Sequence, residues 1–210
     1  MKEILAAIWR LNFEAGGATK DNLVADLKGC DMKELESSLS QFKMEGLLKE
    51  GSDGFALTDK GRARIKVIVC GGVFDILHPG HIFILDKAKS LGDVLVVIVA
   101  RDSTVEKRKR IPIVPEDQRL EMVGQLKPVD VAVLGYEGDP LKIIEEIRPD
   151  VIVLGPDQHH DEKMIKEGMK KRGIVVEVKR IEEYKKCELN STKTILQRII
   201  ERNYPGSRGG

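Results

Sequence analysis

Two histidines three residues apart are the part of this sequence best suited to chemistry. His78 and His81 flank Pro79 and Gly80, and an apolar run at 65–70 precedes them closely. Proline suits the first position of a helix, because its φ is already helical and its missing N–H has no partner there. Residues three apart share one face of a helix, and the free N–H groups at a helix start favour an anion. The spacing therefore predicts two imidazoles beside a phosphate.

Each part of this pattern also has an ordinary structural explanation. Paired histidines at a helix start are often surface residues, and the preceding Gly71-Gly72 pair could be only a tight turn or could let the backbone approach a ligand. The chain has four histidines, and two of them stand in this one turn. That concentration favours the chemical interpretation, and with it an enzyme.

Alternating apolar runs and helical patterns surround this turn from residue 65 onward. The apolar runs lie at 65–70, 94–100, 129–134, 151–154 and 174–178, and the helical patterns at about 79–91, 116–126, 140–147 and 161–172, with a last helix after residue 191. Continuous Val/Ile runs separated by helices predict a parallel sheet covered on both faces. Such sheets bind ligands at the carboxyl ends of their strands. The histidine turn and residues 154–158 are both expected at such ends.

Residues 1–64 follow a different pattern, which predicts a separate small domain. Three amphipathic helical segments precede two short apolar segments, and these bracket a hairpin turn signal at 52–54. Thr19 and Asp31 are expected to begin the second and third helices. The arrangement resembles a winged helix-turn-helix. We therefore expect a small, mainly α, winged-helix domain at 1–64 and an α/β domain at 65–210.

Composition narrows the classes of function. The chain is 41% hydrophobic and 33% charged, and its formal net charge is +1, so it has no general electrostatic attraction to nucleic acid or to a membrane. No apolar stretch is long enough to span a bilayer. The three cysteines are far apart in the sequence, which indicates free thiols in a reducing compartment. We therefore expect a cytoplasmic protein without membrane partners.

A winged-helix domain raises the question of DNA binding. Residues 1–64 contain ten Lys/Arg against eleven Asp/Glu, and the third helical segment carries two lysines against four acidic residues. Phosphate neutralisation supplies most of the non-specific affinity for DNA, and this helix offers little of it. DNA therefore remains a weakly supported partner, and a packing or dimerisation role fits the sequence equally well.

Two sequence motifs in the α/β domain resemble those of a known superfamily. Residues 72–81 resemble the signature of the cytidylyltransferase-like nucleotidyltransferases, and residues 191–195 resemble the superfamily's second motif at the start of the final helix. Within the superfamily, residues 97–102, 155–158 and 184–187 resemble the archaeal FAD synthase family. The resemblance covers about 65–203 and implies a Rossmann-like parallel sheet.

The resemblance also implies roles for particular residues. His78 and His81 would be catalytic, contacting the phosphates and stabilising the transition state. The nucleotide-binding residues would be Val73, Phe74, His78, Pro79, Gly80, His81, Asp157 and Tyr184. The family more often has threonine where this chain has Val73, a change that keeps the backbone N–H and loses a hydroxyl contact.

Five further side chains are candidates for phosphate binding. Lys107 and Lys109 belong to a basic run after the second strand, Arg119 stands at the start of the next helix, and Ser191 and Thr192 open the last one. The structural alternatives are a solvated loop, a salt bridge on a helix and an ordinary N-cap, respectively. Mg²⁺ or another divalent cation is implied with ATP, held mainly by substrate phosphates and water. No metal-ligand set is expected from the chain itself.

The resemblance to archaeal FAD synthases implies transfer of AMP from ATP to FMN, which gives FAD and pyrophosphate, and implies a homodimer. A cytidylyltransferase for glycerol 3-phosphate or another small phosphorylated alcohol is the alternative enzyme, and a pantetheine-phosphate adenylyltransferase is less favoured. A transcriptional regulator that only senses a ligand is the alternative from another class. The intact His78 and His81 argue against that regulator.

Overall fold

A small helical unit with a hairpin forms the N-terminal part of the molecule. The computed structural model describes residues 1–27, 29–107, 111–156, 158 and 161–203. The first elements are α1 (Lys2–Ala15), α2 (Lys20–Asp26), α3 (Met32–Met44), β1 (Leu48–Gly51), β2 (Gly54–Leu57) and α4 (Asp59–Arg62). Strands β1 and β2 pair antiparallel. The three helices and the hairpin expected from the sequence are therefore present.

Local side chains explain how these first elements begin and turn. The Thr19 hydroxyl accepts a hydrogen bond from the N–H of Asn22 at 3.3 Å, so it caps α2 as expected. Asp31 occupies the N-cap position of α3 without a capping hydrogen bond from its side chain. Gly54 has φ +100°, and a Cβ there would lie 2.3 Å from the carbonyl oxygen of Ala18. The hairpin turn therefore requires glycine.

Five parallel strands and their helices form the rest of the described chain. In order they are β3 (Val67–Gly72), α5 (Pro79–Lys89), β4 (Val94–Val99), α6 (Asp102–Glu106), α7 (Glu116–Gly124), β5 (Val131–Leu134), α8 (Lys142–Ile147), β6 (Val151–Leu154), α9 (Glu162–Lys171), β7 (Glu177–Arg180) and α10 (Thr192–Asn203). The strand order is β5-β4-β3-β6-β7, and every pairing is parallel. This architecture confirms the predicted Rossmann-like α/β fold.

Helices α4 and α6 were not predicted from the sequence, and β3, β5 and β7 each begin later than the apolar runs that predicted them. Helix α6 has only five residues, which is too short to produce a recognisable helical repeat of apolar residues. Strand β7 begins three residues later than the apolar run at 174–178, because its position follows its pairing with β6, where Glu177 lies opposite Val151 and Arg180 opposite Leu154. Tertiary pairing, rather than local hydrophobicity, sets the limits of this edge strand.

The strand order creates a crevice at the carboxyl ends of β3 and β6. The chain runs from β3 outward through β4 and β5, and then returns to place β6 on the other side of β3. Such a reversal separates the loops of two neighbouring strands, and α/β proteins bind ligands there. The side-chain amide of Gln158, after β6, donates a hydrogen bond to the carbonyl oxygen of Gly71 on β3.

Two apolar clusters cover the two faces of this sheet. Leu85 and Ala88 of α5 and Val123 of α7 are fully buried in one cluster. The other contains α8 and α9 and continues into the buried residues of α1, α2 and α3. The N-terminal elements therefore share an apolar core with one face of the sheet. Among the helices that the structure describes, none is long and apolar enough to cross a membrane.

Three aspartates line the amino end of the sheet. Asp93, Asp130 and Asp150 each stand immediately before a strand and accept a backbone N–H from a neighbouring strand or its leading residue. The donors are Lys66, Leu95 and Val67, at 2.7, 2.6 and 2.7 Å, respectively. Each aspartate also lies within 4.0 Å of a cation from the N-terminal elements, namely Lys2, Arg10 and Arg62, respectively. These contacts connect the N-terminal unit to the sheet.

Candidate active site

The histidine turn has the geometry expected from its spacing. His78 is the N-cap of α5 with an extended backbone, and Pro79 occupies the first turn of the helix. The N–H of His81 donates to the carbonyl oxygen of His78 at 3.0 Å. The two imidazole rings stack with their centroids 3.8 Å apart and their planes 25° apart. Both rings therefore lie together at the start of α5, where anions are favoured.

Phe74 packs behind this pair of imidazoles. Its ring centroid is 5.1 Å from that of His81, and the side chain is buried. Its φ is +55°, a left-handed conformation that costs energy for a residue with a side chain and that is concentrated at functional sites. A Cβ at Gly72 would lie 2.8 Å from the Phe74 ring, so glycine at that position makes room for the aromatic side chain.

Gly80 allows the two sequence motifs to meet. A Cβ at this position would lie 2.7 Å from the carbonyl oxygen of Asn190 and 2.9 Å from Nδ1 of His78. The start of α5 therefore lies directly against the segment before α10. Any larger side chain would push the first motif away from the second.

The second motif begins α10 with a network of short-range hydrogen bonds. The Ser191 hydroxyl accepts from the N–H of Thr194 at 3.2 Å, and the Thr194 hydroxyl donates to the carbonyl oxygen of Ser191 at 2.8 Å. Ser191 and Thr192 also line the cleft that contains the histidines. Ser191 is thus a helix cap, which was the structural alternative to phosphate binding, and it also faces the candidate site.

A large cleft connects these motifs. Its volume is about 1790 Å³, and a pocket for one small ligand typically has roughly 300–1,000 Å³. The cleft can therefore hold two substrates together. The predicted residues that line it are Val73, Phe74, His78, Gly80, His81, Tyr184, Ser191 and Thr192.

Two further predicted residues that the structure describes, Pro79 and Lys107, are not part of this lining. Pro79 and Lys107 are exposed, Pro79 in the first turn of α5 and Lys107 at the end of α6, and both lie outside the cleft. Asp157 and Lys109 fall outside the described residues. The structure therefore brings most of the first and second motifs together, and leaves Lys107 away from them.

Arg119 does not occupy the position of a phosphate clamp. Its side chain is fully buried. The guanidinium donates to the carbonyl oxygens of Val114 and Ala100, each at 2.8 Å, to that of Val73, and to the carboxylate of Asp102 at 2.6 Å. These acceptors leave no exposed face for a phosphate. Arg119 instead fixes the backbone of the first motif to the end of β4 and to the segment before α7.

Two residues that line the cleft, Asp75 and Arg101, carry structural roles that the sequence analysis did not assign. Asp75 is buried, and one of its carboxylate oxygens accepts from the N–H groups of Ile113 and Val114 at 2.8 and 2.9 Å. Arg101, two residues after the end of β4, donates to Glu116 at 2.6 Å and to the carbonyl oxygen of Gly135 at 2.9 Å. Their positions next to strand ends were the available signal. Their partners come from distant segments.

The cleft contains one thiol. Burial raises the pKa of Cys70 to about 12, so this thiol stays protonated at neutral pH and is a poor nucleophile. The described residues include no group of three or more His, Cys, Asp or Glu side chains that could hold a metal ion. The protonated Cys70 thiol is therefore not suited to forming a covalent intermediate.

The sequence of this chain is similar to those of known enzymes. The chain is 55% identical over 135 residues to the FAD synthase of Aciduliprofundum boonei, an alignment that covers 64% of this chain and 91% of that protein. It is 57% identical over 136 residues to the FAD synthase of Methanothermus fervidus, covering 63% and 94%, respectively.

A solved structure has the same fold at substantial sequence identity. The lipopolysaccharide core biosynthesis protein from Thermoplasma volcanium is 48% identical, with a TM-score of 0.56, and the match covers 58% of this chain and 99% of that one. The family model described as cytidylyltransferase-like matches residues 69–198, which include both motifs, most of β3 and the other four parallel strands. The chain therefore belongs to the cytidylyltransferase-like family.

Proposed function

We propose that this chain is an FAD synthase that transfers the AMP moiety of ATP to FMN and releases pyrophosphate. The observation that carries the proposal is the stacked pair His78 and His81, which opens α5 and faces a cleft shared with Ser191. The FAD synthases described above are 55% and 57% identical to the chain. Those alignments cover more than nine-tenths of each relative, so the sequences are compared over nearly the whole length of each enzyme.

The reaction requires no protein nucleophile. A phosphate oxygen of FMN attacks the α-phosphorus of ATP in line, and the bond between that phosphorus and the oxygen leading to the β-phosphorus breaks. The electron pair of that bond leaves with pyrophosphate. Catalysis then consists of holding the two substrates in line and stabilising the charge that develops on the phosphate oxygens.

The histidine turn supplies groups for both tasks. His78 and His81 would donate hydrogen bonds from their imidazoles to the α-phosphate and the leaving pyrophosphate. The backbone N–H groups at the start of α5 add fixed positive partial charge. Ser191 and Thr192, at the start of α10, would bind the β- and γ-phosphates in the same way. Phe74 acts by packing against His81.

Mg²⁺ or another divalent cation would accompany ATP. Such an ion is usually held mainly by substrate phosphates and water. Among the described residues, no group of three or more His, Cys, Asp or Glu side chains could hold it. When bound, the ion neutralises part of the triphosphate charge. The chain's own contribution is to place the phosphates between the two helix starts.

The N-terminal unit is proposed to stabilise the sheet rather than to read DNA. Lys20 pairs with Glu36 at 2.6 Å and Lys43 pairs with Glu50, so two lysines near α3 are neutralised by carboxylates. Phosphate binding would need those charges. A homodimer and a cytoplasmic location also remain predictions.

The test is pyrophosphate release by the purified full chain with Mg²⁺, comparing ATP with CTP and FMN with glycerol 3-phosphate. The expected result is release that depends on FMN and ATP, with FAD identified by chromatography. Activity with CTP and glycerol 3-phosphate alone would overturn the flavin assignment and keep the mechanism. Sequence-selective DNA binding at low salt without transferase activity would favour the regulator instead.

A further inference from the structure

The carboxamide of Gln158 lies between two strands at the point where they separate. Strands β3 and β6 pair as far as Cys70 and Val153. Beyond that pair, the Gln158 side chain donates a hydrogen bond to the carbonyl oxygen of Gly71 and accepts one from the N–H of Gly155 at 3.3 Å. A carboxamide offers both a donor and an acceptor, as a peptide group does. Gln158 therefore continues the connection between the two strands by one inserted group.

Arg180 holds the main chain of the same loop from the other side. It is the last residue of β7, where it lies opposite Leu154. Its guanidinium donates to the carbonyl oxygens of Gln158 and Gly155 at 2.7 and 3.1 Å, and to the carboxylate of Glu162 at the start of α9 at 3.1 Å. The loop after β6 is therefore attached to β3, β7 and α9.

The groups that Gln158 connects face the cleft. Gly71, Gly155 and Gln158 all line it, whereas Arg180 lies outside this lining. Because β3 leads directly into the histidine turn, the distance between Gly71 and Gly155 sets how far that turn lies from the loop after β6. The carboxamide also occupies the Gly71 carbonyl oxygen, whose negative partial charge would otherwise repel the phosphates of a nucleotide.

We propose that Gln158 is a positioning residue for the nucleotide, and that Arg180 holds Gln158 in place. The inference rests on the proposed function and adds the contacts that set the width of the cleft between β3 and β6. These two strands lie on either side of the reversal in strand order, which is where α/β proteins bind nucleotides. Gln158 acts through the backbone of both strands, and the histidine turn and the loop after β6 then meet the nucleotide at a fixed spacing.

The test removes the carboxamide and measures the binding of each substrate separately. Gln158→Leu keeps most of the side-chain volume and loses both hydrogen bonds. Calorimetry follows binding of α,β-methylene-ATP, flavin fluorescence follows binding of FMN, and steady-state kinetics give kcat and KM. We expect a roughly 10-fold weaker affinity for the ATP analogue with a matching rise in KM for ATP, and FMN affinity and kcat within about twofold, as when about one net hydrogen bond to the nucleotide is lost.

Two further variants separate positioning from stability. Asp130→Asn weakens contacts at the opposite end of the sheet and is the matched control, which should leave both affinities unchanged. Arg180→Lys keeps a positive charge beside Glu162 but loses the planar fork that reaches two carbonyl oxygens. This variant should also weaken binding of the ATP analogue, and it replaces Gln158→Leu if thermal melting shows Gln158→Leu to be unfolded.

Two results would overturn the inference. One is unchanged affinity for the ATP analogue in the folded Gln158→Leu or Arg180→Lys variant, and the other is an equal loss of affinity for FMN, which would indicate a general distortion of the cleft. A wild-type chain that makes no FAD contradicts the proposed function. Calorimetry with the nucleotide analogue still tests this inference in that case, because it does not require FMN.

Discussion

The two ends of the parallel sheet use polar residues in opposite ways. At the amino end, Asp93, Asp130 and Asp150 each accept a backbone N–H and pair with a cation from the N-terminal elements. At the carboxyl end, His78, His81 and hydroxyl groups face a cleft of about 1790 Å³. Charges that the protein neutralises internally support its stability, whereas polar groups that face a cleft can act on a ligand.

The difference follows from the direction of the strands and helices. In each β-α-β connection the helix starts near the carboxyl end of a strand, so helix N-termini with their free N–H groups accumulate there. The amino end receives helix C-termini and short connections, and the N-terminal elements pack against one face of the same sheet. The helix starts, which favour anions, therefore lie at one end of the sheet, and the contacts with the N-terminal elements lie at the other.

The largest expected effect concerns the carboxyl end. Replacing His78 or His81 by alanine should lower turnover by roughly 10²–10³, because each removes a contact that stabilises developing phosphate charge. Melting temperature should change little, since the side chains line a cleft rather than the core. Steady-state FAD synthesis and thermal unfolding measure the two quantities. Unchanged turnover in both variants would remove this pair from the mechanism.

A smaller effect on turnover, but a large effect on stability, is expected when Arg119 is replaced, because its guanidinium connects the first motif to the segments around α7. Arg119→Met leaves the Asp102 carboxylate and three carbonyl oxygens without their buried donor. The free energy of unfolding should fall by about 3 kcal/mol, as when one partner of a buried ion pair is removed. Denaturant unfolding measures this loss. A variant as stable as the wild type would show that the guanidinium does not connect these segments.

The smallest effect is expected at the amino end of the sheet. Asp130→Asn weakens the carboxylate's contacts with Lys89, Arg10 and the N–H of Leu95, and should lower the free energy of unfolding by about 1–2 kcal/mol. Turnover should stay within about twofold, because these contacts lie at the end away from the cleft.

Glu36→Gln, which breaks an exposed pair with Lys20, is the matched control and should leave stability unchanged. A marked loss of turnover in Asp130→Asn would mean that the two ends are coupled.

Much of the architecture could be read from local sequence. The Val/Ile runs predicted the parallel sheet because a strand buried on both faces must be apolar throughout. His78, Pro79 and His81 predicted a helix start with two aligned imidazoles because proline suits the first turn and residues three apart share a face. Both inferences depend only on neighbours in the chain, and the structure confirms both.

Other properties depended on which distant segments meet. Sequence spacing could not show that Arg119 is buried against Val73 and Ala100, because Val73 belongs to another connection of the sheet and Ala100 lies 19 residues away in the chain. The close approach of Gly80 to Asn190 was equally hidden, since a glycine alone does not reveal whether a turn or a neighbouring segment requires it. The sequence by itself thus determined the parallel sheet and the pair of histidines at the start of α5. The tertiary structure decided which charged side chains are buried and paired within the protein and which polar side chains face the cleft, because burial is a property of the assembled fold.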